Sequence, residues 1–246
     1  MPGQTPKEEG SPRRRRAGGR EGRAQRADEK CRPVPTIEAR EGAAGFQHPD
    51  KPLLIICGAI GSETKAVLAA SGMQDAVEIT ALPGIWHNFP EKIPGGVEAK
   101  ALQARKDRAD RPIFVGYADC GTGGMLDEVC DRLGLHRMAG PHCYSFFAGE
   151  QRFNEMAEEE LGTFYLTDFL ARHFDTFIWE GMGLANNPEM IEGMFGGYTK
   201  LTFLAQTENA ELTAMAEEAA GKLGLRFERV FTGYGELGEF VAQASA

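Results

Sequence analysis

The chain has 246 residues, with 27 Lys and Arg against 36 Asp and Glu, and 42% of it is hydrophobic. That size and composition fit a soluble globular protein of one ordinary domain or two small lobes. A net charge of −9 excludes general affinity for nucleic-acid phosphates, which takes clustered positive charge. No segment approaches the roughly 18 consecutive apolar residues of a membrane-spanning helix.

The charge is unevenly spread. Residues 1–50 contain the run Arg13–Arg16 and only Val34, Ile37 and Phe46 as sizeable hydrophobes. Such a stretch buries too little surface to offset its ordering entropy, so it reads as a disordered basic tail or as a start placed too far upstream. An export signal needs an apolar run of about 7–15 residues after the arginines, and none is present. Glu21, Asp28, Glu29 and Glu38 dilute the basic field. The five cysteines form no secreted disulfide framework, which places the protein in the cytoplasm with its thiols reduced.

From residue 51 the pattern is that of a folded α/β domain. Leu53–Cys57 is a short apolar run ending at Gly58, the signature of a strand buried on both faces. A helix from Ser62 to about Gly72 comes next, then a strand over Val77–Leu82, a proline-rich loop and a polar helix from about Gly96 to Asp110. Ile113–Tyr117 reads as a third strand, Met125–Leu133 as a helix, and Leu135–Ala139 as a fourth strand. The second half alternates again. Strands are expected at Thr176–Glu180, Lys200–Ala205 and Arg226–Phe231, and helices near 151–160, 188–195, 209–223 and 235–244. This order predicts a parallel-sheet, Rossmann-like three-layer fold of two pseudo-repeated βαβ halves, with lobes about 51–150 and 151–246. Phe114-Val115-Gly116-Tyr117 and Phe231-Thr232-Gly233-Tyr234 echo each other in the two halves.

Ligands in open parallel sheets bind beyond the carboxyl ends of the strands. The segments after the first-half strands are chemically rich: Cys57-Gly58, then Trp86-His87-Asn88, then Asp119-Cys120-Gly121-Thr122-Gly123-Gly124, then His142-Cys143. The Asp119–Gly124 turn can offer backbone amides to a substrate anion through Gly121, Thr122, Gly123 and Gly124, or it can be a tight turn and no more. It is neither a Walker loop nor a dinucleotide fingerprint. Asp119 is a candidate for orienting a base or ligand, and Cys120 for a thiol acidified by the helix after it. Cys57, Cys120, Cys143 and His142 are candidate metal ligands. His87 serves as ligand or base, or merely as a surface or capping residue. Cys57 reads equally well as core. Cys130 is assigned to a helix core, Thr167 or Asp168 to a helix cap, Thr207 and Thr232 to capping, and Tyr234 to the cleft.

Cys57-Gly58, His87, Tyr117–Gly124, His142-Cys143-Tyr144, Gly162–Phe169 and Thr232-Gly233-Tyr234 together resemble the domain-of-unknown-function family numbered 1638, over about residues 52 to 243. Members of that family are found beside corrinoid-dependent methylamine methyltransferases, so the resemblance implies one-carbon or methylamine-type metabolism and a corrinoid methyltransferase partner. The chain lacks the Asp-x-His-x-x-Gly motif of cobalamin binding.

These residues support three functional expectations. The first is a Cys/His site for zinc or iron, an iron–sulfur cluster included, acting on a small molecule. The second is a metal-free thiol enzyme using Cys120 or Cys143. The third is a non-enzymatic accessory protein of a methyltransferase.

Overall fold

In the computed structural model, which describes residues 46–245, the apolar run Leu53–Cys57 forms strand β1 and Leu53 to Ile56 are fully buried. The expectations for residues 1–45 lie outside the described residues. Strand β1 is flanked by β2 (Glu78–Leu82) and β3 (Ile113–Gly116), and β3 pairs with β4 (His136–Arg137), all parallel, in the order β2-β1-β3-β4. Helices α1 (Gly61–Ala70), α2 (Ile93–Asp107) and α3 (Met125–Leu133) make the three crossovers.

The twofold alternation of a strand sorts the β1 side chains into two cores. Leu53 and Ile55 pack with Val97 and Ala101 of α2 and Leu126 and Val129 of α3. Leu54 and Ile56 face the other way, onto Val67 and Leu68 of α1. The same second face receives Leu237, Phe240 and Val241 of α9 (Leu237–Ala244), so the last helix of the chain closes the first sheet.

The second half holds its own parallel sheet, β5 (Thr163–Thr167), β6 (Lys200–Ala205) and β7 (Arg226–Phe231), in sequential order. It is joined to the first by α4 (Cys143–Ala148) and α5 (Glu150–Glu159). Helices α6 (Asp168–Arg172) and α7 (Met190–Phe195) lie between β5 and β6, and α8 (Ala210–Leu223) links β6 to β7. The fold is α/β, built from two all-parallel sheets with interleaved helices. No helix among the described residues is long and apolar enough to cross a membrane.

Most expected elements stand within a few residues of their places, but one is displaced. The strand expected over Thr176–Glu180 is a π-helical turn, Asp175–Trp179, and the strand lies earlier, at Thr163–Thr167. Thr-Phe-Ile-Trp is rich in strand-favouring residues. Here helical bonding from α6 carries straight through, with His173 N–H donating to Phe169 and Phe177 N–H to His173. Phe169, Leu170, Phe174, Phe177 and Ile178 then share one helical face against the second core. Thr167 caps α6, its hydroxyl accepting from the Leu170 amide at 3.4 Å.

At the amino ends of the first sheet a buried arginine ties three segments together. The Arg111 guanidinium donates to the Lys51 carbonyl at 2.8 Å, to the His48 carbonyl at 2.9 Å and to Glu78 at 2.7 Å. Burial by itself raises the Glu78 pKa, but hydrogen bonds from Arg111 and from the Gln47 and His48 amides outweigh it and lower it. Removing one partner of a buried pair costs about 3 kcal/mol or more. Arg111→Ala is therefore expected to lower the unfolding free energy by about 3 kcal/mol in urea titrations. Arg111→Lys should recover little, because an ammonium cannot span the three acceptors. The Glu78 contribution is present at neutral pH and disappears as pH falls through its lowered pKa, so the Arg111 variants should differ from wild type least in acid.

Candidate metal and thiol site

The order β2-β1-β3-β4 makes the gap between the carboxyl ends of β1 and β3 a topological switch point, since the chain leaves β1 to one side and enters β3 on the other. Cys57 is the last residue of β1, and Cys120 comes a few residues after β3. Gly58 must be glycine here, because a β-carbon would lie 2.9 Å from the Leu82 carbonyl and the Gly84 amide at the end of β2. The loops after β3 and β4 are zipped together, with Asp119 N–H donating to the Gly140 carbonyl at 3.1 Å and Cys120 N–H to Pro141 at 2.8 Å. That pairing brings Cys143, at the start of α4, alongside Cys120.

Cys57, Cys120 and Cys143 consequently gather in one place, each a free, half-buried thiol. They sense one another electrostatically: Cys57 raises the Cys120 pKa, and Cys120 and Cys57 both raise that of Cys143. Burial is the larger cause in each, and it pushes the Cys120 thiol up to about 12. The expectation of a thiol acidified by a helix end is therefore reversed at Cys120. Helix α3 starts only at Met125, after the glycine turn, and desolvation prevails at Cys120. Nearby backbone groups oppose the burial more weakly, that of Ala59 for Cys57, those of Cys143 and Ala118 for Cys120, and those of Cys143 and Tyr144 for Cys143. The Tyr117 hydroxyl is buried near Cys57 but makes no well-formed hydrogen bond.

The glycine-rich turn behaves differently from its expected role. Its amides face an anion, but the anion is the chain's own Asp119 carboxylate. That carboxylate accepts from Gly121 N–H at 3.2 Å, Gly123 N–H at 3.2 Å, Gly124 N–H at 2.9 Å and the Thr122 hydroxyl at 2.9 Å. The hydrogen bonds, the Gly124 amide foremost, lower the Asp119 pKa. Gly121, Thr122, Gly123 and Gly124 are thus committed within the turn, and Asp119 positions the loop instead of standing free as a base. Cys120 is held at φ 51°, and among the described residues it is the one non-glycine with positive φ. Such a conformation in a residue with a β-carbon is strained, and the surrounding bonds must impose it.

Both histidines lie near Tyr144, with ring centroids 6.3 Å away for His87 and 6.2 Å for His142. The Tyr144 hydroxyl lies 3.5 Å from Nε2 of His87. His87 lies on the short turn after β2 and is open to solvent. Burial, with the charge of His142 adding to it, lowers its pKa and favours the neutral imidazole that binds metals. Among the described residues, no set of three or more His, Cys, Asp or Glu side chains stands in metal-holding geometry as it is.

The second half meets this site from the other side. Tyr234, after β7, packs with the core that Cys57, Cys120 and Cys143 border, and its hydroxyl feels Glu63 and Asp168. Thr207 does not cap a helix: its hydroxyl donates to Asp168 at 2.5 Å, while Asn209 caps α8. The Thr232 hydroxyl bonds the Ala205 and Gly233 carbonyls. Cys130 is buried in α3 as expected. Sequence reasoning missed Glu63, Tyr117 and Tyr144. An acidic residue in a first helical turn reads as a dipole partner, and a tyrosine beside a strand end as core.

Asp119→Ala removes four hydrogen bonds and is expected to cost about 3 kcal/mol, measured by urea unfolding. Cys120→Gly should be more stable than Cys120→Ala by about 1 kcal/mol, because only the alanine retains the left-handed strain. The Asp119 contribution is present at neutral pH and is lost as pH falls through its lowered pKa.

Residues 81–241 match the family described as "Protein of unknown function (DUF1638)". The match includes His87, Asp119, Cys120, His142, Cys143 and Tyr234 and leaves out Cys57 and Glu63. No curated protein and no solved structure matches the chain. With about two thirds of its length matched, the chain belongs to the DUF1638 family.

Proposed function

We propose that this protein is a metal–thiolate protein acting on a small molecule, in which Cys57, Cys120 and Cys143 hold one zinc or iron ion and His87 or His142 completes the shell. The observation that carries this reading is the gathering of three thiols at the switch point, beyond the carboxyl ends of β1, β3 and β4. A thiol pushed up to about 12 supplies almost no thiolate at neutral pH, which counts against Cys120 as a bare nucleophile. A bound cation reverses that balance by deprotonating its ligands.

A zinc or iron ion held by these thiols would supply Lewis acidity and fixed positive charge. The residues of the chain do the rest. Asp119 fixes the Cys120 loop, Tyr117 and Tyr144 shield the sulfurs, and the neutral His87 accepts or passes a proton at Nε2. As metabolic setting we assign one-carbon chemistry in the cytoplasm, beside a corrinoid-dependent methyltransferase, on the family resemblance.

Protein purified without oxygen is expected to carry about one zinc or iron per chain by elemental analysis, and Cys120→Ser to lose it. Cobalt(II) added to metal-depleted protein should produce thiolate charge-transfer absorption that saturates at one equivalent. Little metal in either protein, together with one thiol labelled by iodoacetamide far faster than the others, would overturn the metal in favour of a thiol catalyst.

A further inference from the structure

His87 rides on the short 3₁₀ turn Gly84–Asn88, and its neighbours are pinned to different halves of the protein. Trp86 packs into the core of the first sheet that α2 and α3 cover. Ile85 packs against the core of the second sheet, and Asn88 reaches the same half, where its Nδ2 donates to the Phe177 carbonyl at 2.8 Å. A 3₁₀ turn eclipses residues three apart, so Ile85 and Asn88 face the second half together. The acceptor owes its freedom to the π-helical turn Asp175–Trp179, whose wide bond runs from the Glu180 amide to the Asp175 carbonyl at 2.7 Å. The amides that come next pass Phe177 by: Met182 N–H donates to Ile178 at 3.0 Å and Ala185 N–H to Trp179 at 2.8 Å. Among the described residues no backbone amide serves the Phe177 carbonyl, and Phe177 is only 6% exposed. A buried carbonyl needs a donor, and the Asn88 side chain supplies it.

We infer that Asn88 is a positioning residue of the site: through the carbonyl that the π turn sets free, it holds the His87 ring against Tyr144. Tyr144 packs against the second core, as Ile85 does, and its hydroxyl lies 3.5 Å from Nε2 of His87. The His87 turn grows out of β2 in the first sheet, so the two rings keep their distance only while that turn is fastened to the second half. The Asn88 bond is a polar fastening between residues 89 positions apart. It is also directional, because only the nitrogen of an asparagine amide can face a carbonyl. Ordinary helical bonding would hand the Phe177 carbonyl to the Gly181 amide and leave Asn88 nothing to hold, which gives the π turn a use in the site. Asn88 touches no reacting group and acts through His87. Its consequence for the chemistry rests on the proposed role of His87 as ligand or proton carrier, whereas the contact it enforces does not.

Nuclear Overhauser contacts between the His87 and Tyr144 rings, recorded on metal-depleted protein with labelled histidine and tyrosine, test the inference. The wild type is expected to show the contact. Asn88→Ala should stay folded and lose most of it. The isosteric Asn88→Asp, which sets an acceptor where a donor is needed, should do the same and carries the test if Asn88→Ala does not fold. Cobalt(II) titration of the same proteins gives a second reading. With His87 loosened, the metal should bind at least about tenfold more weakly, the usual effect of losing a group that orients a ligand. A contact of full strength in the folded variants, with no more than a lower unfolding free energy, makes Asn88 a packing residue and overturns the inference. Absence of the contact in the wild type overturns it as well. Loss of the contact with cobalt held as tightly as in the wild type upholds the positioning and removes His87 from the metal shell. Loss of the contact in proteins that take up no cobalt at all upholds the positioning and condemns the metal centre.

Discussion

Four hydrogen bonds converge on the Asp119 carboxylate, three from glycine amides and one from the Thr122 hydroxyl, and they wrap the chain into a turn that it would not otherwise hold. The turn forces Cys120 into the left-handed region and leaves its amide directed at Pro141. Through that bond and its neighbour from Asp119, the loop after β3 is fastened to the loop after β4, and the Cys143 thiol comes to lie beside that of Cys120. The thiol cluster depends on this one fixed carboxylate. An ionised group that satisfies several backbone donors is among the stronger anchors a loop can have, because charge-assisted bonds hold geometry as well as energy.

The site has two chemically distinct sides. On one, burial keeps three sulfurs poorly solvated, so that negative charge there calls for a compensating cation. On the other, Asp168 is buried among neutral donors, the Gln206 amide and the Thr207 hydroxyl. The sides belong to different sheets: the thiols hang from the carboxyl ends of β1, β3 and β4, and Asp168 and Tyr234 from those of β5 and β7. Helix α9 returns from β7 to the face of β1 and covers Leu54 and Ile56. The position of Tyr234 is thereby coupled to the core of the first sheet. A change in the packing of α9 would be felt at the site, because close-packed cores transmit displacement.

Much of this was legible in the residues. Leu53–Cys57 announced a central strand because a strand buried on both faces has no polar alternation to display. Helices α3 and α8 were legible from apolar spacing, and the gathering of Cys57, Cys120 and Cys143 from the rule that parallel strands present their carboxyl ends together. The strand at Thr163–Thr167 was hidden, since Thr-Phe-Tyr-Leu-Thr and Thr-Phe-Ile-Trp look alike locally. Only the continuation of helical bonding from α6 assigns the second to a helix. Arg111 gave no sign of its burial, which arises because Glu78 and two carbonyls from distant segments meet around it.

By itself, then, the sequence determined the alternation of strands and helices and the rim on which the thiols fall, because both derive from periodicity and chain order. The protonation of those thiols was decided by tertiary structure, since it depends on how much water is excluded around Cys120 and not on which helix comes next. The glycine turn was likewise settled in three dimensions, where the nearest anion to its amides proved to be Asp119. The bonds from Gln206 and Thr207 to Asp168 join residues far apart along the chain, and no local pattern records a meeting of that kind. Periodicity is a property of neighbours along the chain, whereas desolvation and charge pairing are properties of neighbours in space.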